Sequence, residues 1–216
     1  MIDVRLFFQK RGEACYISHL DLNRFMLRAI RRTGLPVWYT EGFNPHVYIT
    51  FALPLPLGQF SEREIMDFRL IQECDLCKVK EAFSQVMPLS LPVLEVAYPV
   101  EKTKEIAYAA YDILLPEGAV SLPKIEKVLA QDQIMVEKTT KKGAVKWIDL
   151  KSQLRGIDPS IEGKDLRLHV VLPAGAQNNI NPALLVEALK KSAELQPIQE
   201  EITRKEIYNA KMEIFR

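Results

Sequence analysis

The sequence predicts an α+β protein made of tandem ferredoxin-like domains, each with the element order β-α-β-β-α-β and an antiparallel sheet. Three observations support this prediction. The chain has 216 residues, which suits two domains of about 100 residues each better than one. Its hydrophobic content of 48% is enough to bury two cores. Apolar alternation and helical periodicity follow one another in the same order in both halves, so the second half is interpreted as a diverged copy.

The first predicted domain spans residues 1–100 and contains one full set of elements. Residues 3–8 alternate and are rich in β-forming side chains, as in a first strand. Ser18 and Asp21 have the spacing of a capping box, and the helix that they open continues with apolar residues at helical spacing as far as Gly34. The remaining predicted elements are strands at 36–39, 47–52, 64–70 and 92–100, and a helix at 77–86.

A charged stretch without apolar periodicity, residues 101–104, is the predicted linker to a second domain at residues 105–216. Asn181 followed by Pro182 is a favourable start for the last helix of this domain. The second copy is predicted to carry an extra hairpin between residues 141 and 160. The predicted elements are strands at 109–115, 134–139, 166–172 and 202–210, helices at 122–130 and 182–193, and a hairpin-like segment at 141–150.

The composition excludes several classes of function. The chain holds 29 Lys and Arg against 28 Asp and Glu, so any nucleic-acid site has to be a local patch rather than a general positive field. No apolar run approaches the roughly 20 residues of a membrane span and no long apolar segment opens the chain, so we expect a cytoplasmic protein without a membrane partner. Three cysteines suit a reducing compartment, and the single C-x-x-C of Cys74 and Cys77 lacks two further ligands, so no metal or other cofactor is predicted.

Motifs of the common catalytic classes are missing from the sequence. It has no G-x-S-x-G, no Walker loop and no G-x-G-x-x-G after a strand. It also lacks the C-x-x-x-C-x-x-C that binds the iron–sulfur cluster of radical S-adenosylmethionine enzymes. We therefore expect no independent catalytic activity, and the chain is not itself a radical enzyme.

The stretch 15–58 is the segment richest in candidate functional polar side chains, and its helix carries a row of arginines, here called the basic stripe. Arg24, Arg28 and Arg31 fall on the side opposite the apolar residues, with Arg32 beside them. Guanidinium groups bind phosphate oxygens bidentately, so the stripe predicts contact with phosphates or nucleic acid. A solvated helix face and salt bridges to the second domain are the two alternatives.

Two histidines belong to the same stretch. His19 lies in the first turn of the helix, where the positive end of the helix dipole favours a neutral imidazole. His46 ends the turn EGFNPH at 41–46, and if the two histidines converge they form a joint site; packing or capping is the alternative for each. The turn also offers Asn44, whose side chain bonds its own backbone in such turns, and Phe43, which either plugs the core or stacks on a base.

A second basic patch is predicted on the hairpin of the second domain. The patch has Trp147 among the basic residues Lys141, Lys142, Lys146, Lys151 and Arg155. Basic side chains interleaved with an aromatic ring line grooves for single-stranded nucleic acid. A lysine-rich hairpin tip that only keeps the protein in solution is the alternative.

Five segments of the first domain form a recognisable set. They are ISHLDL at 17–22, RAIRRTGLP at 28–36, EGFNPH at 41–46, ALPLPLG at 52–58, and Ser61-Glu62 with Glu64 and Asp67. Together they resemble the bacterial radical-SAM-linked protein family, a domain of unknown function, over about residues 4–70. The family usually has a second proline after Asn-Pro-His, where this chain has Val47. The resemblance implies an accessory role beside a radical S-adenosylmethionine enzyme, in RNA or translation-related modification.

We therefore predict an accessory protein that binds RNA or a nucleotide-containing substrate and works with a radical S-adenosylmethionine partner. One alternative is an enzyme that uses His19 and His46 as an acid–base pair or as metal ligands. The other is a scaffold that docks the partner through the PLPLG segment at 54–58. The residues predicted to contact phosphate, substrate or partner are His19, Arg24, Arg28, Arg31, Phe43, Asn44 and His46.

Overall fold

The computed structural model describes residues 1–117, 121–139, 143, 145–176, 178–192 and 200–216. Over these residues the protein is mixed α+β, with four α-helices and mainly antiparallel strand pairing. No helix among them is long and apolar enough to cross a membrane. The chain divides into two compact units, Met1–Glu105 with Phe215–Arg216, and Ile106–Ile214. The last two residues thus belong to the first unit, whereas the predicted division into 1–100 and 105–216 assigns them to the second domain.

The first unit has the element order β-α-β-β-α-β. Its elements are β1 (Ile2–Lys10), α1 (His19–Arg32), β2 (Ile49–Phe51), β3 (Phe60–Leu70), α2 (Leu76–Val86) and β4 (Val93–Ala97). The strands pair antiparallel in the order β4-β1-β3, with β2 paired to β3. The strand predicted at 36–39 is reduced to two isolated bridges, one from Val37 to Leu70 and one from Tyr39 to Val47.

Alternate residues of β1 build the core of this unit. Val4, Leu6 and Phe8 are fully buried, and α1 and α2 contribute Met26 and Phe83 to the same cluster. Successive side chains of a strand point to opposite faces, so one face of β1 is committed to the helices. Burying an apolar side chain of this size contributes roughly 1.5–3 kcal/mol, so the cluster is the main source of stability for the unit.

The other face of this sheet carries a buried ion pair. Arg5 on β1 is only 1% exposed, and its Nε and Nη2 atoms donate hydrogen bonds of 2.7 and 2.8 Å to the two carboxylate oxygens of Asp67 on β3. The same Nη2 donates to the Glu101 carbonyl at 3.1 Å, and the guanidinium carbon lies 4.6 Å from the centroid of the buried Phe215 ring. The Glu101 amide donates to the Arg216 carbonyl at 2.8 Å. The end of the chain is therefore fastened to the first unit, and Asp67 has a structural role.

The second unit has a four-stranded sheet and a separate hairpin. Its elements are β5 (Ile106–Leu115), α3 (Leu122–Leu129), β6 (Met135–Thr139), β7 (Val145–Asp149), β8 (Gly156–Glu162), β9 (Asp165–Pro173), α4 (Ala183–Ser192) and β10 (Glu201–Asn209). The strands pair antiparallel in the order β10-β5-β9-β8, while β6 and β7 form a two-stranded sheet of their own. The Asn181 side chain accepts a hydrogen bond of 3.1 Å from the Ala183 amide, in the position predicted to open α4.

The strand beside β9 differs from the prediction. The strand predicted at 134–139 corresponds to β6, which pairs with β7, so the extra hairpin begins at Met135 and not at Lys141. The larger sheet is completed by β8, most of which was predicted to belong to the extra hairpin, and Pro159 lies in the middle of this strand. Proline has no N–H to donate and is confined to edge strands, and β8 lies at the edge of its sheet. Lys141 and Ala193, at the limits of a predicted hairpin and a predicted helix, lie outside the described residues.

Removing the carboxylate of Asp67 should strongly destabilise the first unit. In Asp67→Ala the buried Arg5 guanidinium keeps its charge and loses its partner, a change that costs about 3–5 kcal/mol. Urea unfolding followed by circular dichroism measures the loss.

The matched control is Asp3→Ala on the same sheet. It breaks the 2.6 Å ion pair with Arg69, whose side chain is 32% exposed against 57% for Asp3. Exposed pairs of this kind contribute less than about 1 kcal/mol. Equal losses in Asp67→Ala and Asp3→Ala would contradict the structural role of Asp67.

Candidate phosphate and nucleic-acid interface

α1 begins at a capping box. The Ser18 hydroxyl accepts a hydrogen bond of 3.1 Å from the Asp21 amide and donates one of 2.7 Å to the Asp21 carboxylate. This hydroxyl holds the pKa of Asp21 below its ordinary value, and the positive charges of Arg24 and Arg28 act in the same direction. Ser18 and Asp21 are therefore explained by the helix start, as the sequence predicts.

α1 presents its arginines to solvent and its apolar residues to the core. The buried residues are Leu22, Met26, Ala29 and Ile30, and the exposed ones include Arg24, Arg28, Arg31 and Arg32. Arg24 lies 3.3 Å from Asp21, but both side chains are more than half exposed, so this ion pair is weak. The Arg28 Nε atom donates to the Arg24 carbonyl at 3.1 Å, which directs its guanidinium along the helix. The basic stripe therefore lies on the solvent side, as the helical period predicts.

A concavity of about 470 Å³, here called the arginine concavity, is lined by Phe25, Arg28, Arg31 and Arg32. Arg32 ties it to α2, because its Nη2 atom donates to the carbonyl of Val86 at 3.0 Å and Val86 is the last residue of that helix. The volume falls within the range of about 300–1,000 Å³ that is common for ligand sites. Guanidinium groups stay charged at all physiological pH values, so three of them around one concavity favour a phosphorylated ligand.

The two predicted histidines have different immediate neighbours. The His19 ring packs edge-on against Phe51, with ring centroids 5.0 Å apart and planes at 81°. The His46 Nδ1 atom lies 3.1 Å from both the Asn44 carbonyl oxygen and the Thr40 hydroxyl oxygen. Because a carbonyl only accepts, Nδ1 carries the proton in the neutral ring and Nε2 is left as an acceptor. Convergence of the two imidazoles into one site stays a prediction.

Histidine, cysteine and carboxylate side chains are the usual ligands of a protein-bound metal ion. No group of three or more His, Cys, Asp or Glu residues in the described part of the chain is arranged to hold a metal ion. Cys74 and Cys77 are free thiols, and the Cys74 Sγ atom lies 3.8 Å from the Gln72 carbonyl oxygen. A metal held by His19 and His46 stays a prediction.

The turn at 41–46 exposes its aromatic side chain. Phe43 is 105% exposed, so its interpretation as a core plug is wrong. Gly42 has a φ of 120°, which side-chain-bearing residues rarely adopt, and this explains the glycine. Asn44 is exposed as well, and its carbonyl accepts from His46. Of the two interpretations of Phe43, stacking is the one compatible with this placement.

The residues of the second basic patch differ in their exposure to solvent. Lys142 lies outside the described residues. Lys146 and Trp147 are exposed neighbours on β7, and successive side chains of a strand point to opposite faces. Lys151 is half-buried, and its ammonium donates a hydrogen bond to the Leu129 carbonyl. The groove for single-stranded nucleic acid therefore stays a prediction.

A third histidine belongs to a polar cluster that the sequence does not reveal. His169 on β9 lies directly opposite Asp112 on β5, and its Nδ1 atom is 2.7 Å from the Asp112 carboxylate. Arg167 and Lys205 each approach the same carboxylate to 3.8 Å. The Asp112 side chain is 16% exposed and that of His169 is 48% exposed. The two are 57 residues apart, so no spacing in the sequence signals their contact.

The fold and site define an α+β protein with an arginine-lined concavity on its first helix. The chain belongs to the bacterial family described as "Uncharacterized protein conserved in bacteria (DUF2344)", which matches residues 4–182. A comparison with curated proteins gives no match. Among solved structures, a chain of "Crystal Structure of a Cbf5-Nop10-Gar1 Complex" is 11% identical, with a TM-score of 0.48 over 94% of this chain. This chain covers 48% of that one, about half its length, and a similarity this low carries no argument about function.

Replacing the cap residue should raise the pKa of Asp21. In Ser18→Ala the carboxylate loses the hydrogen bond that contributes most to its lowered pKa. Because the folded pKa lies below the unfolded value, the stabilising contribution of Asp21 is present above the unfolded pKa and is lost as the pH falls through the folded pKa. The stability difference between Ser18→Ala and the natural chain should therefore narrow in acid.

An NMR titration of the Asp21 carboxyl carbon measures this shift. Ser84→Ala is the control, because the Ser84 hydroxyl donates to the Lys80 carbonyl and touches no carboxylate in that bond. An Asp21 pKa that is the same in Ser18→Ala and in the natural chain would contradict the assigned cause.

Proposed function

We propose that this protein binds RNA or a nucleotide-containing substrate and works with a radical S-adenosylmethionine enzyme, on a scaffold of two ferredoxin-like units. The observation that carries the binding proposal is the arginine concavity. Phe25, Arg28, Arg31 and Arg32 line about 470 Å³ there. A phosphate in this concavity meets guanidinium forks that bind its oxygens bidentately, and a base or sugar meets the Phe25 ring.

Charge supports the same ligand class. The whole chain has a formal net charge of only +1, so its general field attracts no polyanion. The arginines of α1 instead concentrate positive charge on one face, and Arg32 is already held by the Val86 carbonyl. A side chain that is ordered before binding loses less rotamer entropy when a ligand arrives, so this arrangement favours binding over a merely solvated face.

The radical S-adenosylmethionine partner is proposed from the sequence resemblance. Within the PLPLG segment at 54–58, Leu55 is only 5% exposed, whereas Pro54 lies on the surface. Leu57, at 64% exposed, is the leucine of this segment that a partner can reach. Docking through the segment therefore depends on Pro54 and Leu57 more than on Leu55.

An enzyme that uses His46 is the second candidate. One observation favours it: the Asn44 carbonyl fixes the proton on Nδ1, so that Nε2 of the neutral ring is an acceptor. A histidine held in one tautomer in this way is suited to act as a general base. His19 contributes less to this candidate, because its ring packs against Phe51.

RNA binding should weaken steeply with salt and should depend on Arg28. Each phosphate contact with a single strand adds about 0.7 to the slope of log affinity against log salt concentration. In Arg28→Ala we expect the slope to shrink by about that amount and the affinity for bulk cellular RNA to fall at low salt. Filter binding with labelled RNA over a salt series measures both quantities.

Lys164→Ala is the matched control, since it removes one positive charge from a side chain that is 78% exposed and lies outside the first unit. It should leave the slope unchanged. A flat salt dependence for the natural chain, or equal effects of Arg28→Ala and Lys164→Ala, would contradict the proposal.

The partner should be recovered from cells together with the tagged protein. Affinity purification followed by mass spectrometry is expected to return a radical S-adenosylmethionine protein, in lower yield from Leu57→Ala. Leu89→Ala is the control, because Leu89 is also an exposed leucine, at 88%. Recovery of no radical enzyme with the natural chain would contradict the partnership.

A further inference from the structure

Residues 38–48 form a hairpin, here called the aromatic hairpin. Its backbone is closed by hydrogen bonds from the Thr40 amide to the His46 carbonyl at 2.8 Å and from the Tyr48 amide to the Trp38 carbonyl at 3.2 Å. Aromatic residues make up 8% of the whole chain. They are far denser in this hairpin, which contains Trp38, Tyr39, Phe43 and Tyr48.

A guanidinium fixes the base of the aromatic hairpin. The Trp38 and Tyr48 rings meet edge to face with centroids 5.9 Å apart, and Arg69 lies over both, 4.5 Å from the Tyr48 centroid and 5.4 Å from the Trp38 centroid. The Arg69 Nε atom donates to the Asp3 carboxylate at 2.6 Å, and the Trp38 amide donates to the Arg69 carbonyl at 2.9 Å. The two rings are therefore held in place before any ligand arrives, which reduces the entropy lost on binding.

The tip of the hairpin presents Phe43 from a braced turn. The ring is 105% exposed, so it contributes nothing to the core. The turn below it is held by the His46 Nδ1 atom at the Asn44 carbonyl and by the His46 amide, which donates to the Thr40 hydroxyl at 3.1 Å. An exposed ring on a braced turn is suited to contact a ligand rather than to fill a space.

The exposed apolar surface of the hairpin is mainly aromatic. Phe43 and Tyr39 are 105% and 43% exposed, and Pro45 is exposed beside them, while Val47 is fully buried. Flat rings beside a guanidinium are a platform on which unpaired bases stack. Duplex RNA keeps its bases inside the helix and offers no ring face to such a platform. Glu41 is the single carboxylate in the hairpin, so little charge repels a phosphate chain.

We infer that the bound RNA is single-stranded and that its unpaired bases stack on Phe43 and on the surface that Trp38 and Tyr48 present on the same hairpin. This inference rests on the proposed function, in which the arginine concavity binds the phosphates. Stacking and phosphate contact are separable, because stacking releases no counterions and so leaves the salt slope unchanged.

The test compares poly(U), which is single-stranded, with the duplex poly(A)·poly(U). The natural chain should bind poly(U) more tightly than the duplex. Phe43→Ala should weaken poly(U) binding roughly fivefold to a hundredfold, with the same salt slope as the natural chain. Leu89→Ala, which removes an apolar side chain that is 88% exposed elsewhere in the first unit, should change neither affinity nor slope.

Tryptophan fluorescence locates the contact. The chain has two tryptophans, so Trp147→Phe leaves Trp38 as the one reporter. Saturating poly(U) should quench it.

Three outcomes would overturn the inference: duplex binding as tight as poly(U), equal effects of Phe43→Ala and Leu89→Ala, or an unquenched Trp38 at saturation. If salt-dependent binding that Arg28→Ala weakens persists in any of these cases, the proposed function stands and stacking alone fails. Absence of any RNA binding overturns both.

Discussion

The buried guanidinium of Arg5 is the interaction on which the first unit depends. A charge that is 1% exposed is tolerated only when it is paired and hydrogen-bonded, so Asp67 has to lie opposite Arg5 in the register of β1 and β3. The same guanidinium reaches the Glu101 carbonyl and the Phe215 ring. One side chain thus joins two central strands, the segment after β4 and the end of the chain. The second unit also has a cross-strand polar pair, Asp112 opposite His169, but leaves it partly exposed.

The packing of α1 against the core of the first unit determines where the candidate site lies. Leu22, Met26 and Ile30 occupy the buried side of α1, so the arginines of that helix have to face water. Exposed arginines on a helix usually form only a solvated face. Two features distinguish α1 from such a face: the concavity that includes Phe25, and the hydrogen bond from Arg32 to the end of α2. Stacking on the aromatic hairpin and phosphate binding on α1 are complementary chemistries, because one reads the bases and the other neutralises the backbone of the same class of ligand.

Periodicity predicted most of the elements, because burial on one face imposes a period of 2 or 3.6 on the sequence. The capping box of Ser18 and Asp21 could also be predicted, because its partners are only three residues apart in the sequence. Contacts between distant residues could not be predicted from the sequence. Arg5 and Asp67, for example, are separated by 62 residues, and only the strand register brings them together. β8 was assigned to the extra hairpin; its Pro159 is compatible with the edge of the sheet, because an edge strand tolerates a residue that a central strand does not. The exposure of Phe43 depends on the direction of a turn, which residue type alone leaves open.

Crosslinking in living cells tests the central claim most directly. Ultraviolet irradiation, stringent purification of the tagged protein and sequencing of the attached RNA show whether RNA is bound at all, and mass spectrometry of the crosslinked peptides shows where. We expect RNA well above an untagged control, with crosslinks on α1 and in residues 38–48. Recovery of no RNA above that control, or crosslinks confined to the second unit, would contradict the account.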